Sequence, residues 1–291
     1  MSSTSYVLCG AWQSADAREG PLAAGMKPPR FLTPWSILGA IVWLVLIAQF
    51  VWAADHRNLE EGIPTAIEDA YTIAFRSFEQ QTRLTYEDDG ERGDIFRLEP
   101  ELKWGVIKNG QLELRAPFFI GGGDREGSGD LELEGLYTIN VETVTLPATA
   151  LRVGFAFPSG EDSEGVDTTV KGILTKGVQH ARFHVNAGVT HVGAADSQER
   201  EFRYKIALGA DHPLDFGLFP LAIGLDNLVI ADVFVEQSAL EGQDPLWMGE
   251  LGIRHQLNPW SVLAIGAGAG FSRVAPDYSL TIAYQYAFPV F

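Results

Sequence analysis

A strict alternation of polar and apolar residues constrains this chain more than any other feature. In RFHVNAGVTHV, residues 182–192, the polar side chains Arg182, His184 and Asn186 stand on even positions and apolar side chains stand between them. A repeat of two residues predicts a β-strand with two unlike faces. A soluble strand buries its apolar face in a core, whereas a strand of a membrane barrel shows that face to lipid. The alternation alone leaves both possibilities open.

The same period recurs along most of the chain in segments of about ten residues, separated by clusters of Gly, Asp, Glu and Ser. We predict about twelve strands (ten to fourteen), because the apolar stretch 214–223 is either a further strand or a periplasmic insertion. No long helical period lies between the strands, which excludes a parallel βαβ sheet. The predicted strands are 72–86, 94–106, 110–119, 130–142, 147–158, 166–177, 180–192, 201–211, 227–237, 245–257, 260–272 and 277–288.

The connections between these strands alternate in kind. One set is mostly long, acidic and rich in glycine, and lies at 88–94, 121–130, 159–167, 193–201, 238–244 and 273–277. The other set consists mostly of tight turns, such as VIKNGQ at 106–111 and LNPW at 257–260. Barrels of the bacterial outer membrane have long external loops and short periplasmic turns. The alternation therefore favours an antiparallel transmembrane β-barrel.

The last strand supports the barrel over a soluble β-sandwich. YSLTIAYQYAFPVF places one apolar and aromatic row in register, similar to the C-terminal insertion signal of outer-membrane barrels, which ends in an aromatic residue. The three residues 289–291 follow the row, which departs from that pattern. The predicted insertion signal consists of Leu280, Ile282, Tyr284, Tyr286 and Phe288.

The N-terminus carries an apolar export segment. Residues 35–54 have no charge, follow Lys27 and Arg30, and include Val51-Trp52-Ala53 as a cleavage site. This pattern predicts a signal peptide that begins at Met26 and is cleaved after Ala53. The alternative is an uncleaved anchor helix, since about 20 apolar residues can span a bilayer. The predicted organisation is 1–53 extension and signal peptide, 54–71 periplasmic or lumenal segment, and 72–291 barrel.

Charge and cysteine content narrow the possible partners. Without residues 1–53 the chain keeps 18 basic and 36 acidic residues, a net charge of about −18 with neutral histidines. This balance argues against nucleic acid as a partner. The only cysteine, Cys9, lies in the removed part, so the mature chain has no disulfide to stabilise it.

Charged side chains occupy the polar faces of several predicted strands. They form either a charge filter for solutes or a structural network of ion pairs that fills a narrow lumen. The segment 54–71 lacks a clean strand period and lies either in the lumen as a partial plug or against the periplasmic rim. The lumen-facing candidates are Arg97, Glu99, Glu101, Lys103, Glu132, Glu134, Arg152, Arg182, His184, Arg203, Lys205, Glu250 and Arg254.

Neither catalysis nor a bound cofactor is expected. His180 and His184 share one side of a strand, but they lie about 13 Å apart at about 3.3 Å per residue, too far for a shared metal. No serine is placed beside His191 to serve as an activated nucleophile. We therefore predict no catalytic, cofactor-binding or metal-binding residues. The acidic loops are expected to be solvated, with divalent ions bridging them to lipopolysaccharide as a second hypothesis.

Several stretches resemble one known family. Residues 57–87, 98–106 and 112–124, then 154–168, 184–191 and 251–271, are similar to the outer-membrane transporter family named for the meta-pathway of phenol degradation. The resemblance covers nearly the whole mature chain through turn and strand patterns, which identify the fold but not the cargo. It implies a single-chain barrel with a channel role.

The predicted function is passive movement of small solutes, with apolar or aromatic compounds as one class, across the outer membrane of a Gram-negative bacterium. The expected partners are membrane lipid, lipopolysaccharide, the barrel-assembly machinery and an unidentified solute. The alternatives are a closed structural barrel, or one that displays its loops without transport, and a soluble periplasmic binding barrel.

Overall fold

The computed structural model describes residues 54–88, 93–121, 126–160, 163–214 and 227–288. The predicted signal peptide, with Met26 and Cys9, lies outside the described residues, as does nearly all of the apolar stretch 214–223. Within the described ranges, no helix is long and apolar enough to cross a membrane.

The described residues form fourteen strand segments. Their bounds are β1 Phe78–Asp88, β2 Ile95–Ile107, β3 Gly110–Arg115, β4 Phe118–Ile120, β5 Gly127–Ser128, β6 Leu131–Asn140, β7 Ala148–Phe157, β8 Asp167–Val178, β9 Ala181–His191, β10 Phe202–Pro213, β11 Asn227–Glu236, β12 Leu246–Asn258, β13 Ser261–Gly270 and β14 Tyr278–Phe288.

These segments close into a twelve-stranded antiparallel barrel. β2 pairs with both β3 and β4, so these two are halves of one strand, interrupted at Pro117, which has no N–H for the ladder. β5 and β6 form another interrupted strand, because they pair with β4 and β3 respectively. β1 pairs with β2 on one side and with β14 on the other, which closes the sheet. The predicted all-β antiparallel barrel of about twelve strands is confirmed.

The first strand begins at Phe78, not at residue 72 as the sequence predicted. Arg76 adopts a left-handed backbone with φ of 66°, and the Ser77 N–H donates to the Ala74 carbonyl at 3.0 Å. This turn redirects the chain into the wall, so residues 72–77 continue the segment that precedes the barrel.

The faces of the strands are inverted relative to a soluble protein. On β9, Phe183 and Val189 are 51% and 49% exposed, whereas His184 and Asn186 are 1% and 4% exposed. The same inversion recurs around the wall, as for the outward Leu251. Burying apolar surface is the main favourable term for folding in water, and soluble monomers rarely expose large apolar patches. The apolar rows therefore form a lipid-facing band.

The two ends of the barrel differ. The fully described connections 192–201, 237–245 and 271–277 lie at one end, the long-loop end. Turns 108–109, 179–180 and 259–260 and the connection 141–147 lie at the other, the short-turn end. In outer-membrane barrels the long loops are extracellular. The chain enters β1 and leaves β14 at the short-turn end, which is the periplasmic end.

Residues 54–77, named here the interior segment, lie inside the barrel and precede β1. Its apolar side chains Leu59 and Ile67 join a buried cluster with Leu228, Ile230 and Phe234 of β11. Its acidic side chains Glu60, Glu68 and Asp69 are buried as well, which requires partners on the wall.

Candidate functional site

The interior segment forms a loop that reaches up into the lumen and returns. Its base is closed between Leu59 and Asp69: the Asp69 N–H donates to the Leu59 carbonyl at 3.2 Å, and the Leu59 N–H donates to the Asp69 carboxylate at 3.1 Å. At the tip, the Gly62 N–H donates to the Thr65 carbonyl at 2.6 Å. Gly62 has φ of 78°, a conformation that glycine adopts without penalty, and its missing side chain leaves space for the Arg83 guanidinium.

Side chains of the wall satisfy the backbone of the interior segment. A buried N–H without a partner costs free energy comparable to a lost hydrogen bond, and residues 59–73 of this segment pair with no strand of the wall. Side chains of four strands accept hydrogen bonds from these N–H groups in place of sheet carbonyls. The pairs are Ile67 N–H to Asp232 at 2.9 Å, Glu68 N–H to Asn186 at 2.8 Å, Ala70 N–H to Thr175 at 2.9 Å, and Ile73 N–H to Gln111 at 2.6 Å.

Glu60 binds Lys103 in a buried cluster near the short-turn end. The Lys103 ammonium also lies 3.2 Å from Glu101 and 3.4 Å from Glu113. The carboxylates of Glu60, Glu101 and Glu113 are the group in the described part of the chain whose spacing would suit a metal ion. Because the ammonium already lies among them, the cluster is a network of ion pairs.

Glu68 binds the wall through Arg152 and Lys171. Arg152 contacts Glu68 and Glu134, and its Nη1 lies 2.7 Å from Glu113. Lys171 lies 2.6 Å from Glu68. Arg152 is 2% exposed, so its guanidinium is a buried cation that Glu68, Glu113 and Glu134 share.

Asp69 holds the descending arm of the segment against β9. Its carboxylate lies 3.0 Å from the Arg182 guanidinium, which in turn binds Asp211 at 2.9 Å. His184 Nε2 lies 2.7 Å from the same Asp211. Burial raises the pKa of Asp69 to about 6, because it outweighs the opposing effect of Arg182.

Glu61, at the tip, binds two lysines at once. One carboxylate oxygen contacts Lys171, and the other lies 2.7 Å from the Lys205 ammonium. Burial alone would raise the pKa of Glu61, but the two ammonium groups lower it well below its usual range. Glu61 is thus the anionic partner of a lysine pair contributed by β8 and β10.

The thirteen candidates from the polar rows all stand on the interior side of their strands, in positions that alternate with the exposed apolar residues. The structure brings Glu101, Lys103, Glu134 and Arg152 together around the interior segment, and it places Arg182 with His184 through Asp211. Arg203 lies nearer the long-loop end, 3.4 Å from Asp167. The other candidates bind partners within these networks or along the wall. Glu99 forms ion pairs with Arg83 and Arg97, Glu132 with Arg115, and Lys205 with Glu61. Glu250 accepts a hydrogen bond from the Ala66 N–H, and Arg254 donates one to the Ile63 carbonyl.

Sequence reasoning missed part of the network. On the wall, the same alternation would have identified the inward residues Arg83, Glu113, Arg115, Lys171 and Asp211, which share the polar rows. On the interior segment, the pairing of Glu60, Glu61, Glu68 and Asp69 has no local signal, because the partners lie far along the chain. Lys205, for example, is 144 residues from Glu61.

The predicted insertion residues lie on β14. Leu280 and Ile282 are exposed on the outer face, and Tyr284 is half-buried. Tyr286 is buried, with its ring centroid 4.9 Å from that of Phe288. Their role as an insertion signal stays a prediction.

A cavity of about 770 Å³ lies beside the interior segment at the short-turn end. Its lining is mixed, with Tyr71 and Ile73 of the segment facing Arg182 and Asp211 of the wall. The interior segment therefore narrows the lumen without filling all of its periplasmic end.

Comparison with known proteins identifies the fold. By sequence, no family model and no curated protein matches the chain. By structure, the chain is similar to an outer membrane channel from Pseudomonas putida F1, with a TM-score of 0.57 and 12% identity over 79% of this chain and 100% of that one. It is also similar to the NanC porin, with a TM-score of 0.50 and 8% identity over 72% of this chain and 100% of the porin. The fold is that of an outer-membrane β-barrel.

The physical features of the wall agree with this fold. A closed sheet leaves no unpaired backbone edge in lipid, and the apolar rows face outward around the barrel. The chain is therefore located in the bacterial outer membrane, with lipid as the environment of its outer face.

Proposed function

We propose that this protein is an outer-membrane channel for passive movement of small solutes, and that the interior segment controls its lumen. Apolar or aromatic compounds are one proposed solute class. The turn and strand patterns of the sequence support membership of the family named for the meta-pathway of phenol degradation. No chemistry is performed on the solute. Lipopolysaccharide and the barrel-assembly machinery are proposed as further partners, as for other barrels of this membrane.

One observation carries the proposal: the wall is complete without the interior segment. The ladder closes through β1 and β14, and the segment is held through side chains of the wall, not through strand pairing. Withdrawal of the segment would break ion pairs and side-chain hydrogen bonds while leaving the twelve-stranded sheet intact. A barrel of this size encloses more space than an eight-stranded barrel, whose interior side chains just fill it.

Deletion of residues 57–70 tests the proposal against a closed structural barrel. Single-channel currents of the deletion variant and the full-length mature chain are compared in planar lipid bilayers. We expect larger and longer-lived current steps from the deletion variant, because Lys103, Arg152 and Lys171 would then line an open lumen. Folding of both proteins is checked first by the heat-dependent shift of their electrophoretic mobility.

Equal currents from two conducting proteins would contradict control of the lumen by the interior segment. Absence of current from the folded and inserted deletion variant would favour the closed structural or loop-display barrel. The buried ion pairs around Arg152 are the observation that supports this second function, since such a network can also serve only to fill the interior.

A further inference from the structure

The tip of the interior segment occupies a site built from two lysines. Lys171 on β8 and Lys205 on β10 stand on strands that flank β9, and each binds a different oxygen of the Glu61 carboxylate. Charge-assisted hydrogen bonds of this kind are the strong ones in proteins. The wall thus presents a preformed receptor for one carboxylate group.

Lys205 and Glu61 are partly exposed to solvent, whereas Lys171 is buried at 7% exposure. The side chains of Lys205 and Glu61 are 33% and 27% exposed, whereas Glu60, Glu68 and Asp69 are buried. Most of the interior segment lies toward the short-turn end, below its tip. Solvent therefore reaches Lys205 from the long-loop end, the side from which an external solute enters.

Other contacts also hold the tip: the Ile63 carbonyl accepts a hydrogen bond from Arg254 at 2.9 Å, and Pro64 packs against Gly266. Glu61 itself has few contacts besides the two lysines. The Glu61 carbonyl accepts a hydrogen bond from Arg83 at 2.9 Å, and the N–H of Gly62 is satisfied within the loop itself. Exchange of the Glu61 carboxylate for a carboxylate from solution would keep the number of charges at the lysines constant. Neither lysine would be left uncompensated, which removes one electrostatic cost of releasing the tip.

We infer that Lys171 and Lys205 form a binding site for the carboxylate group of a small solute, and that Glu61 occupies this site when the solute is absent. The inference rests on the proposed function and names the solute class. Two nearby acids restrict the charge of the ligand: Glu68 lies 2.6 Å from Lys171, and Glu236 lies 3.8 Å from Lys205. These carboxylates repel polyanions, so the site fits a monocarboxylate.

Benzoate and benzyl alcohol are matched probes, since they share a ring and differ in charge. Each is added in turn to either side of a planar bilayer that holds the full mature chain. We expect benzoate to raise the frequency of channel opening saturably, by about tenfold, from the long-loop side. Benzyl alcohol should have no such effect.

Three variants test whether the response to benzoate depends on Lys205. Lys205→Gln should lose the response to benzoate, Lys205→Arg should keep it, and Glu236→Gln, which alters the neighbouring acid, should also keep it. If Lys205→Gln does not fold, Glu61→Gln decides instead: it should open more often without benzoate, because its amide is a poor substitute for the bridging carboxylate.

Equal responses to the two probes, an undiminished benzoate response in Lys205→Gln, or an unchanged opening frequency in Glu61→Gln would overturn the inference. The proposed function is tested separately by deletion of residues 57–70. A deletion variant that conducts, together with a wild-type channel indifferent to benzoate, would refute only the carboxylate site. A deletion variant that does not conduct would refute the channel itself.

Discussion

Replacement of Gly266 by alanine should displace the interior segment without changing a charge. Gly266 faces inward on β13, against Pro64 of the segment. An added Cβ would lie 2.9 Å from Pro64 Cβ and 2.9 Å from the Pro64 carbonyl oxygen, well inside the roughly 3.5–4.0 Å of a favourable carbon contact. Overpacking of this kind costs about 1–3 kcal/mol.

A cost of this size shifts the equilibrium between docked and released segment by roughly 5- to 150-fold. The wall itself should not weaken, because glycine inside a strand is less stable than alanine by roughly 0.5–1 kcal/mol. The assay is the fraction of time that single channels in a planar bilayer are open. Gly172→Ala is the matched control, since its Cβ would point outward and come no closer than 4.0 Å to the Ala187 carbonyl. Equal open fractions for the two folded variants would refute the reasoning.

Three further predictions follow from the same contacts. Arg152→Met should lower the free energy of unfolding by about 3–5 kcal/mol, because Glu68, Glu113 and Glu134 lose their common guanidinium. Urea unfolding from lipid vesicles measures this free energy. A loss as small as that of the outward control Leu151→Met would contradict the prediction. In the same assay, Ile265→Arg, in the middle of the lipid-facing row, should lower the free energy of unfolding by about 2–4 kcal/mol. Phe271→Arg, beyond the end of β13, should lower it by only about 0–1 kcal/mol. Equal losses would contradict the position of the lipid-facing band. Burial raises the pKa of Asp69 from its ordinary 3.8 to about 6, so docking of the segment should be strongest below about pH 4 and lose this contribution as the pH rises through 6. Between about pH 4 and 6 the opening frequency should therefore rise more steeply in wild type than in Asp69→Asn. Parallel pH curves for the two proteins would contradict the role of Asp69.

The strands could be predicted from the sequence because a transmembrane strand imposes an alternation that each segment carries by itself. Eleven of the twelve predicted strands lie close to the observed ones, and Glu99, Lys103 and Arg182 stand on rows that alternate with the exposed apolar residues. Their role in lining a path for solutes stays a prediction. Pro117 is a local signal for the interruption of its strand, since proline cannot donate to a ladder. The apolar period continues on both sides of Pro117, so the alternation alone predicts one unbroken strand.

The interior segment could not be placed from its sequence. Residues 54–71 have no strand period, and their position depends on partners from strands spread over the whole barrel, such as Lys103, Arg182 and Lys205. Ion pairs between residues so distant in sequence leave no local pattern. The first-strand boundary failed for the same reason, because residues 72–77 follow the lumen before the turn at Arg76.

A reversible tether of the interior segment to the wall tests the central claim most directly. Ile63 of the segment and Ala264 of β13 belong to one buried cluster, and Cys9, the only cysteine of the sequence, lies in the predicted extension that is removed. Cysteines are placed at these two positions of the mature chain, and formation of their disulfide is verified by mass spectrometry. The measurement is the single-channel current of this double variant in a planar bilayer, before and after reduction. We predict that the oxidised protein stays closed and that reduction restores the openings seen in wild type. Identical currents in the oxidised and reduced states would contradict the claim that the interior segment must move for the lumen to open.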